Sequence, residues 1–317
     1  MTPQESTQSM TALMGAVMAE TPYLPEADVT VSVEELTEEY RNEVLDFLAE
    51  RPVHTVCLAG FIRDNGLVSP HNRGTFYGCR NSEGRLEGVA LIGHATLIEA
   101  RTRRAMREFA LVAQAYPRTH MILGEREKVE QFWDSYADDG QQMRLACRET
   151  LFEVTQAMEV REEVEGLRHA TIDDLDQVAP AQAAMAEYES GVNPLESDPE
   201  GFRARCARRI EMGRVLVLVK DGKLVFKADV MADTPEVIYL EGVWVSPSER
   251  GKGIGRKCLR QVCRDLLLHT RAVCVLVNEE SERAHTFYRM CNFKKKAVYD
   301  TIFLQLDRSP ESGERPQ

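Results

Sequence analysis

The sequence predicts a mixed α/β protein of two tandem domains, each with a mostly antiparallel sheet flanked by helices. Three observations predict this fold class. The chain has 317 residues, 43% apolar and 28% charged, which is a globular composition with room for two ordinary domains. Helical and extended patterns follow one another in a similar order in both halves. A charged segment without aromatic residues, 159–166, separates the halves and marks the boundary.

The first domain is placed at residues 29–158. Its patterns indicate a helix, a hairpin, a second helix and two further strands, at 37–48, 75–80 with 85–98, 101–115, 120–123 and 150–155. The strand at 85–98 is followed by Glu99 to Arg104, a segment without glycine. Side chains at such a strand-to-helix junction would crowd a bound anion. This domain is therefore expected to be a degenerate, catalytically silent copy of the second.

The second domain is placed at residues 165–306. Two helical and two extended patterns come first, at 173–189, 202–211, 215–220 and 223–228. A β-branched and aromatic strand at 237–245, a long amphipathic helix, a strand at 272–277 and a helix from about Ser281 follow. The similar order of elements in the two halves suggests two copies of one fold.

The junction after the strand at 237–245 carries the strongest functional signal. Pro247 has no N–H to give to a sheet and therefore ends the strand. The first N–H groups of the following helix lack intrahelical acceptors, and the helix dipole is positive at this end. Glycines at 251, 253 and 255 allow the backbone to approach an anion closely, as at a pyrophosphate site.

Spacing excludes two common nucleotide loops. The pattern G-x-x-x-x-G-K-[ST] is absent, and G-x-G-x-x-G fails because position 256 is Arg rather than Gly. A nucleotide hydrolase or a dinucleotide-dependent redox enzyme therefore loses its main support.

The junction resembles the acyl-CoA-binding motif of the GNAT superfamily of N-acetyltransferases, [QR]-x-x-G-x-[GA], through Arg250, Gly253 and Gly255. A second family signature, N…A-x-x-[FL]-Y-x-x-x-G-F, is matched from Asn278 to Phe293. Asn292 stands where the family usually has Gly, and Asn is the residue that best tolerates the left-handed conformation needed there. Both signatures at the proper separation are more specific than either alone.

The resemblance implies an N-acetyltransferase that uses acetyl-CoA as co-substrate, with direct attack by the primary amine of an unidentified acceptor. It implies neither a metal nor a covalent nucleophile. The strand backbone would bind the pantetheine arm and the glycine loop the pyrophosphate. The cofactor-binding residues implied are Val243, Trp244, Val245, Arg250, Gly251, Lys252, Gly253, Ile254, Gly255, Arg256, Asn278 and Phe287.

Two catalytic residues are predicted. Tyr288 matches the family's general acid, and its alternative is a packing role in the helix. Glu241 is the candidate general base, because the two-residue period of a strand puts it on one face with Val243 and Val245. Its alternative is a solvated edge position. An arginine-rich helix at 202–211 either selects an anionic acceptor or is an exposed face.

Two other functions remain open. The two-copy layout also resembles mycothiol synthase, which would make the acceptor a small thiol precursor. A non-catalytic acyl-CoA sensor or interaction module would need cofactor binding without turnover. The acceptor could be a small-molecule amine or a protein or peptide amine, because acceptor pockets depend on variable loops.

Charge and composition bound the partners and the location. A formal net charge of -12 disfavours nucleic acid and anionic membranes, since binding phosphates requires Lys and Arg. The eight cysteines form no C-x-x-C pair and are expected to be reduced core residues. No signal peptide or membrane-spanning run is recognisable, so the expected location is the cytoplasm. The oligomeric state stays open.

Overall fold

The computed structural model describes residues 30–305. The strands are β1 Val31–Glu35, β2 Gly74–Asn81, β3 Leu86–Gly93, β4 Ala95–Ala100, β5 Met121–Glu125, β6 Met143–Val154, β7 Leu167–His169, β8 Val215–Lys220, β9 Lys223–Asp233, β10 Val237–Val245, β11 Ala272–Asn278 and β12 Lys294–Leu304. The helices are α1 Arg41–Ala49, α2 Pro52–Asn65, α3 Arg103–Gln114, α4 Arg126–Tyr136, α5 Leu175–Ser190, α6 Pro194–Ser197, α7 Pro199–Glu211, α8 Ile254–Leu266 and α9 Glu282–Arg289. None of the helices within 30–305 is long and apolar enough to cross a membrane.

The described chain divides into two compact units. The first comprises residues 30–47, 65–148 and 299–305, and the second comprises 48–64 and 149–298. The division therefore does not follow chain order, since 48–64 joins the second unit and 299–305 joins the first. The prediction of two copies along the chain, at 29–158 and 165–306, stays a prediction, and its end residues 29 and 306 lie outside the described residues.

In the first unit the sheet order is β1-β2-β3-β4-β5-β12. All neighbouring pairs are antiparallel except β4 and β5, which are parallel. Helices α3 and α4 cover one face, and α3 buries an apolar stripe that includes Met106 and Phe109. The unit is thus a mostly antiparallel sheet with flanking helices, as the sequence predicts.

In the second unit the sheet order is β6-β11-β10-β9-β8-β7. Only β10 and β11 run parallel. The apolar core between the sheet and helices α8 and α9 contains Leu240, Leu259, Val262 and Phe293. A smaller apolar cluster on α5, α7, β8 and β9 contains Val178, Ile210, Val217 and Leu224. The second unit repeats the architecture of the first.

Two features of the fold differ from the sequence predictions. The predicted strand at 85–98 is two antiparallel strands, β3 and β4, because the chain turns at His94 between them. Strand β1 and helix α2 were not predicted. Helix α2 starts at Pro52, a favoured first helical residue, but Gly60 weakens its helical signal. A Cβ at Gly60 would lie 2.5 Å from Cβ of Ala232, so glycine lets α2 lie close against β9.

Candidate active site

Strands β10 and β11 are paired only at their beginnings. The parallel register joins Val237 to Ala272, Ile238 to Val273 and Tyr239 to Cys274, and no register between these strands is found beyond it. Strand β10 continues to Val245, whereas β11 continues alongside β6 as far as Asn278. The edge of β10 facing β11 is therefore open after Tyr239, where an extended ligand could add as a strand.

The loop after β10 ends in a helix start without a side-chain cap. Gly253 is the N-cap of α8, and no side chain accepts a hydrogen bond from the first helical amides. Gly251 and Gly253 have φ of 82° and 85°, in the left-handed region that favours glycine. A Cβ at Gly251 would meet no atom within 4 Å, and one at Gly253 only the Arg256 guanidinium at 3.7 Å. The loop thus leaves an unobstructed cradle of backbone amides.

Gly255 has a different role from these two glycines. A Cβ here would lie 2.6 Å from Cγ2 of Val245 and 3.4 Å from Cε2 of Phe287. Its absence lets the first turn of α8 lie against β10 and α9 at once. Gly255 is therefore required by close packing, and Val245 and Phe287 lie directly beside the loop.

Three basic residues of the loop and of the first turn of α8 each contact the surrounding chain. Nε of Arg250 donates to the carbonyl oxygen of Val245 at 3.0 Å, which holds the loop against the end of β10. Lys252 forms an exposed ion pair with Glu249 at 3.0 Å. A guanidinium nitrogen of Arg256 contacts Sδ of Met290 at 3.4 Å. These side chains put positive charge beside the backbone amides, and Arg250 keeps further N–H donors.

The second signature holds the end of β11 to α9. Oδ1 of Asn278 accepts a hydrogen bond from the Glu280 amide at 2.8 Å, and the Asn278 carbonyl lies 3.1 Å from Nε2 of His285. The Asn278 side chain thus caps the strand end in this structure. Asn292 has φ of 69°, which confirms the left-handed conformation expected where the family has glycine.

Tyr288 is buried among aromatic rings. Its ring centroid lies 5.3 Å from those of Phe287 and Phe293 and 6.3 Å from that of Phe152. No hydrogen-bond partner of its hydroxyl is found among residues 30–305. Burial raises the pKa of Tyr288 above its usual range, and the nearby Cys263, Cys291 and Glu189 act in the same direction. The packing role is visible in these contacts, and the general-acid role stays a prediction.

The face of Glu241 differs from the sequence prediction. In the register of β10 against β9, Glu241 lies opposite Asp229 and Trp244 lies opposite Lys227. One residue of β9 separates the second pair from the first, whereas two residues of β10 do, so β10 has one extra residue in a bulge. Val243 and Val245 lie against the core below α8 and α9, whereas Trp244 lies against the cluster on α5 and α7. A bulge shifts the two-residue period by one. Glu241 therefore does not share a face with Val243 and Val245, and this part of the prediction is wrong.

Glu241 lies instead among charged and polar groups of α2, α5 and α7. One of its carboxylate oxygens is 3.7 Å from the Arg209 guanidinium, and the side chain is 36% exposed. Glu189, at the end of α5, is exposed to solvent and lies near Glu241 and Glu149. Desolvation raises the pKa of Glu189 to about 8, with Glu241 and Glu149 adding to the rise and Lys227 opposing it. The Cys57 thiol of α2 faces the same region, and burial together with Glu241 raises its pKa to about 12.

A buried lysine lies beneath the bulge. Lys227 is fully buried, and its Nζ donates to the Gln182 side-chain oxygen at 2.6 Å and to the Gly242 carbonyl at 3.0 Å. Oδ1 of Asp229 lies 2.8 Å from the same nitrogen. Asp229 in turn pairs with Arg209 at 3.1 Å. A chain of alternating charges thus runs from the bulge to Glu241: Lys227 and Asp229 of β9 are followed by Arg209 of α7.

Comparison with known proteins identifies this arrangement. Residues 181–293, which include β10, the glycine loop and α9, match the model of the acetyltransferase (GNAT) family. The chain carries a GNAT acetyltransferase domain. GNAT proteins are a class of acyltransferase enzymes, so the resemblance noted in the sequence is confirmed, and the two units have the fold expected of a tandem member.

Similar proteins support the family and the fold. A 149-residue stretch is 28% identical to an aminoglycoside N(6')-acetyltransferase type 1 of Stenotrophomonas maltophilia, covering 41% of this chain and 93% of that protein. A tandem GNAT protein of the clavulanic acid biosynthesis pathway is 14% identical with a TM-score of 0.55, covering 88% of this chain and all of that one. An acetyltransferase of the GNAT family from Colwellia psychrerythraea is 12% identical with a TM-score of 0.55 over 87% of this chain and all of its own. The two solved structures show the fold alone.

The corresponding junction of the first unit is closed. Strand β4 pairs in parallel with β5, as β10 does with β11, and is followed by α3. The Thr102 hydroxyl accepts a hydrogen bond from the Ala105 amide at 3.2 Å, which caps this helix start. Glu99 is buried beside it and pairs with Lys128 at 2.7 Å. A capped start next to a buried carboxylate offers no cradle for an anion.

Sequence reasoning missed several residues that lie around Glu241 and the bulge of β10. They are Cys57, Gln182, Glu189, Lys227 and Asp229. Lys227 and Asp229 interrupt the apolar strand at 223–228 and its continuation, and a buried charge in such a run was a visible signal. The arginine-rich helix is satisfied by the chain itself, since Arg203 pairs with Asp176, Arg205 with Asp198 and Arg209 with Asp229. These pairs weaken the interpretation that the helix selects an anionic acceptor.

Proposed function

We propose that this protein is an N-acetyltransferase that transfers the acetyl group of acetyl-CoA to a primary amine. The observation that carries the proposal is the separation of β10 from β11 next to the uncapped helix start at Gly253. An open strand edge suits the amide groups of a pantetheine arm, and the backbone cradle suits a pyrophosphate.

The residues present fit acetyl-CoA. Side chains at Gly251 and Gly253 would project into the cradle, and glycine leaves that space open. Amides of the first turn of α8, with Arg250, Lys252 and Arg256 beside them, would hold the phosphates. Backbone groups of Val243, Trp244 and Val245 would hold the pantetheine arm, with Ile254, Asn278 and Phe287 nearby. When bound, the co-substrate supplies an acetyl group activated as a thioester.

Proton movements complete the transfer. One N–C bond forms and one C–S bond breaks, the amine loses a proton, and the sulfur takes the electron pair and a proton. Glu241 is proposed to accept the amine proton, directly or through water. Tyr288 is proposed to give a proton to the sulfur, since it lies in α9 beside Phe287, which contacts Gly255 of the loop.

The charge around Glu241 favours a cationic acceptor. In addition to desolvation, Glu241 of β10 and Glu149 of β6 both act electrostatically on Glu189 of α5 and raise its pKa, which places their negative charges in one region. Amines are protonated in water, so carboxylates increase their local concentration. The aminoglycoside acetyltransferase relative acts, by its name, on a substrate of this kind. We propose a cationic small-molecule amine as the first acceptor class to test, ahead of peptide amines. We also propose that the protein acts in the cytoplasm.

The experiment combines binding with turnover on the full chain. Calorimetry with acetyl-CoA is followed by thiol release on a panel of aminoglycosides, amino sugars, polyamines and peptides, with acetylated products identified by mass spectrometry. We expect acetyl-CoA binding, acetylation of at least one amine and a large loss of turnover in Glu241→Gln. The Glu236→Gln variant, which changes a half-buried carboxylate in the turn before β10, is the matched control. A protein that binds no acetyl-CoA would disprove the proposal.

A further inference from the structure

Lys227 is an unusual choice for its position. It is fully buried in β9, where an ammonium loses its hydration, and the cost is only partly offset by Asp229 and two neutral acceptors. Apolar side chains replace such buried ion pairs in many proteins at no loss of stability. Stability alone therefore gives no reason for a charge at this site.

The contacts of Lys227 provide a reason for a charged residue at this position. Its Nζ donates to the carbonyl oxygen of Gly242 at 3.0 Å, inside the bulge of β10. Gly242 has φ of 60°, and a Cβ there would lie 2.5 Å from the Gln182 oxygen and 2.8 Å from Nζ of Lys227. The bulge thus leaves room for no side chain at this residue and puts its carbonyl on the ammonium.

The carbonyl direction determines the direction of the next amide. No peptide bond among the described residues is cis, and in a trans peptide the C=O and N–H groups point in opposite directions. The N–H of Val243 belongs to the same peptide unit as the Gly242 carbonyl. It therefore points away from Lys227 and Gln182. Gly242 and Val243 also have no partner in the register with β9.

We propose that Lys227 is a positioning residue that aims the Val243 amide at the acyl oxygen of acetyl-CoA and strengthens it as a donor. The inference rests on the proposed function. A positive charge on the carbonyl oxygen draws electron density through the peptide unit, which makes its N–H a better hydrogen-bond donor. Negative charge develops on the acyl oxygen during attack by the amine, and a fixed donor there stabilises the transition state.

The surrounding residues fix the lysine in this position. Nζ of Lys227 donates to Gln182 of α5 and to the Gly242 carbonyl, and Asp229 of β9 lies 2.8 Å away as its ion-pair partner. Asp229 also pairs with Arg209 at 3.1 Å through its other carboxylate oxygen. Two hydrogen bonds and one ion pair hold the ammonium in place, so the Gly242–Val243 peptide that it contacts is held as well.

The experiment measures the acyl carbonyl directly. Difference infrared spectra of bound acetyl-CoA, labelled with ¹³C at the acetyl carbonyl, report the strength of the hydrogen bond to that oxygen. We expect a shift to lower wavenumber on binding to the wild type and a smaller shift in Lys227→Met. Turnover should fall about 10- to 100-fold with KM for acetyl-CoA nearly unchanged, below the roughly 100- to 1,000-fold loss seen when such a donor is removed outright.

Controls separate this role from a structural one. Lys223→Met changes an exposed lysine of the same strand and should leave the carbonyl band and turnover at wild-type values. Thermal unfolding identifies folded variants, and Lys227→Gln, which loses the charge but keeps a donor, replaces Lys227→Met if the latter does not fold. A folded Lys227 variant with the wild-type carbonyl band overturns the inference alone. A wild type that binds no acetyl-CoA overturns the proposed function and this inference together.

Discussion

The Tyr288 hydroxyl is under two opposing demands. A general acid must release its proton, yet burial and the neighbouring Cys263, Cys291 and Glu189 raise the pKa of this phenol. Because the ordinary pKa of a thiol lies below that of a phenol, the proton transfer requires the developing thiolate to lie within hydrogen-bond distance. The raised pKa also keeps the hydroxyl protonated across the physiological range. The general-acid proposal therefore has Tyr288 donate late in the reaction, when the C–S bond breaks.

Replacing Tyr288 by Phe tests this role. The ring keeps its aromatic contacts and no hydrogen bond within the described residues is lost, so we expect the melting temperature to be maintained. Turnover should fall about 100-fold while acetyl-CoA affinity is unchanged, as expected for loss of a proton donor. Thiol release and calorimetry measure the two quantities.

The control is Tyr136→Phe, which removes a hydroxyl that accepts a hydrogen bond from the Gln141 amide in the first unit. This variant should lower stability and leave turnover intact. Equal turnover of Tyr288→Phe and wild type would leave this residue a packing role.

Glu189 makes stability depend on pH in a direction opposite to that of most carboxylates. Its pKa is raised by desolvation, by Glu241 of β10 and by Glu149 of β6, against the opposing effect of Lys227 of β9. The folded chain therefore holds this proton more tightly than the unfolded chain, whose Glu pKa is about 4.3. The stabilising contribution is fully present below that value and is lost as pH rises through about 8.

Glu189→Gln should remove this dependence. We expect the variant to gain melting temperature relative to wild type as pH rises from 5 to 9, because the amide has no charge to desolvate. Glu187→Gln, an exposed position on the same helix, should keep a constant difference from wild type. Melting temperatures measured by calorimetry across that pH range test this prediction. A constant difference between the melting temperatures of Glu189→Gln and wild type would contradict the raised pKa.

At the scale of the elements, glycine substitutions in the loop between β10 and α8 can distinguish a loss of stability caused by backbone strain from a loss of acetyl-CoA binding. Gly251 in this loop and Gly222 in the β8–β9 turn have φ of 82° and 71°, and neither would place a Cβ within 4 Å of another atom. Alanine at either position costs about 1–2 kcal/mol in the left-handed conformation. The two substitutions should therefore lower the melting temperature to a similar extent.

Only Gly251→Ala should weaken acetyl-CoA binding, because only its Cβ projects into the cradle proposed for the pyrophosphate. We expect an affinity loss of about tenfold, or about 1.4 kcal/mol, for Gly251→Ala and none for Gly222→Ala. Calorimetric titration of both folded variants provides the comparison. Equal affinities in the two variants would show that the phosphates bind elsewhere.

The elements also show what a sequence can and cannot predict. Residues 215–220 form β8 as predicted, because an unbroken β-branched run bounded by Asp221-Gly222 leaves few alternatives. The cradle at Gly251 and Gly253 was likewise visible, since left-handed glycines leave a compositional trace. The bulge at Gly242 was not, because a strand bulge depends on the partner strand and on Lys227 beneath it. That single inserted residue moved Glu241 to the other face and brought in neighbours, Cys57 and Glu189, from distant segments.

At the scale of the whole molecule, the two units use one architecture with different helix starts. In each, a helix connects the two strands of a parallel pair: α8 lies between β10 and β11, and α3 lies between β4 and β5. The α8 start has a left-handed glycine and no side-chain cap, whereas the α3 start is capped by Thr102 and has the buried Glu99 beside it. A carboxylate and a satisfied amide both disfavour a phosphate at α3. We therefore propose that differences at these few positions leave acetyl-CoA binding to the second unit.

This contrast predicts one acetyl-CoA per chain. Calorimetric titration of the full chain should give a stoichiometry near one, with a single binding isotherm, because only the second unit offers a cradle. Thr102→Gly is the matched variant, since it removes the cap of α3 and leaves the buried Glu99 in place. We expect it to remain at one site, because the carboxylate still repels phosphate, and to lose about 0.3 kcal/mol of stability with the cap. Combination with Gly251→Ala should weaken the single site and reveal no second one. A stoichiometry of two in the wild type would show that the first unit also binds the co-substrate.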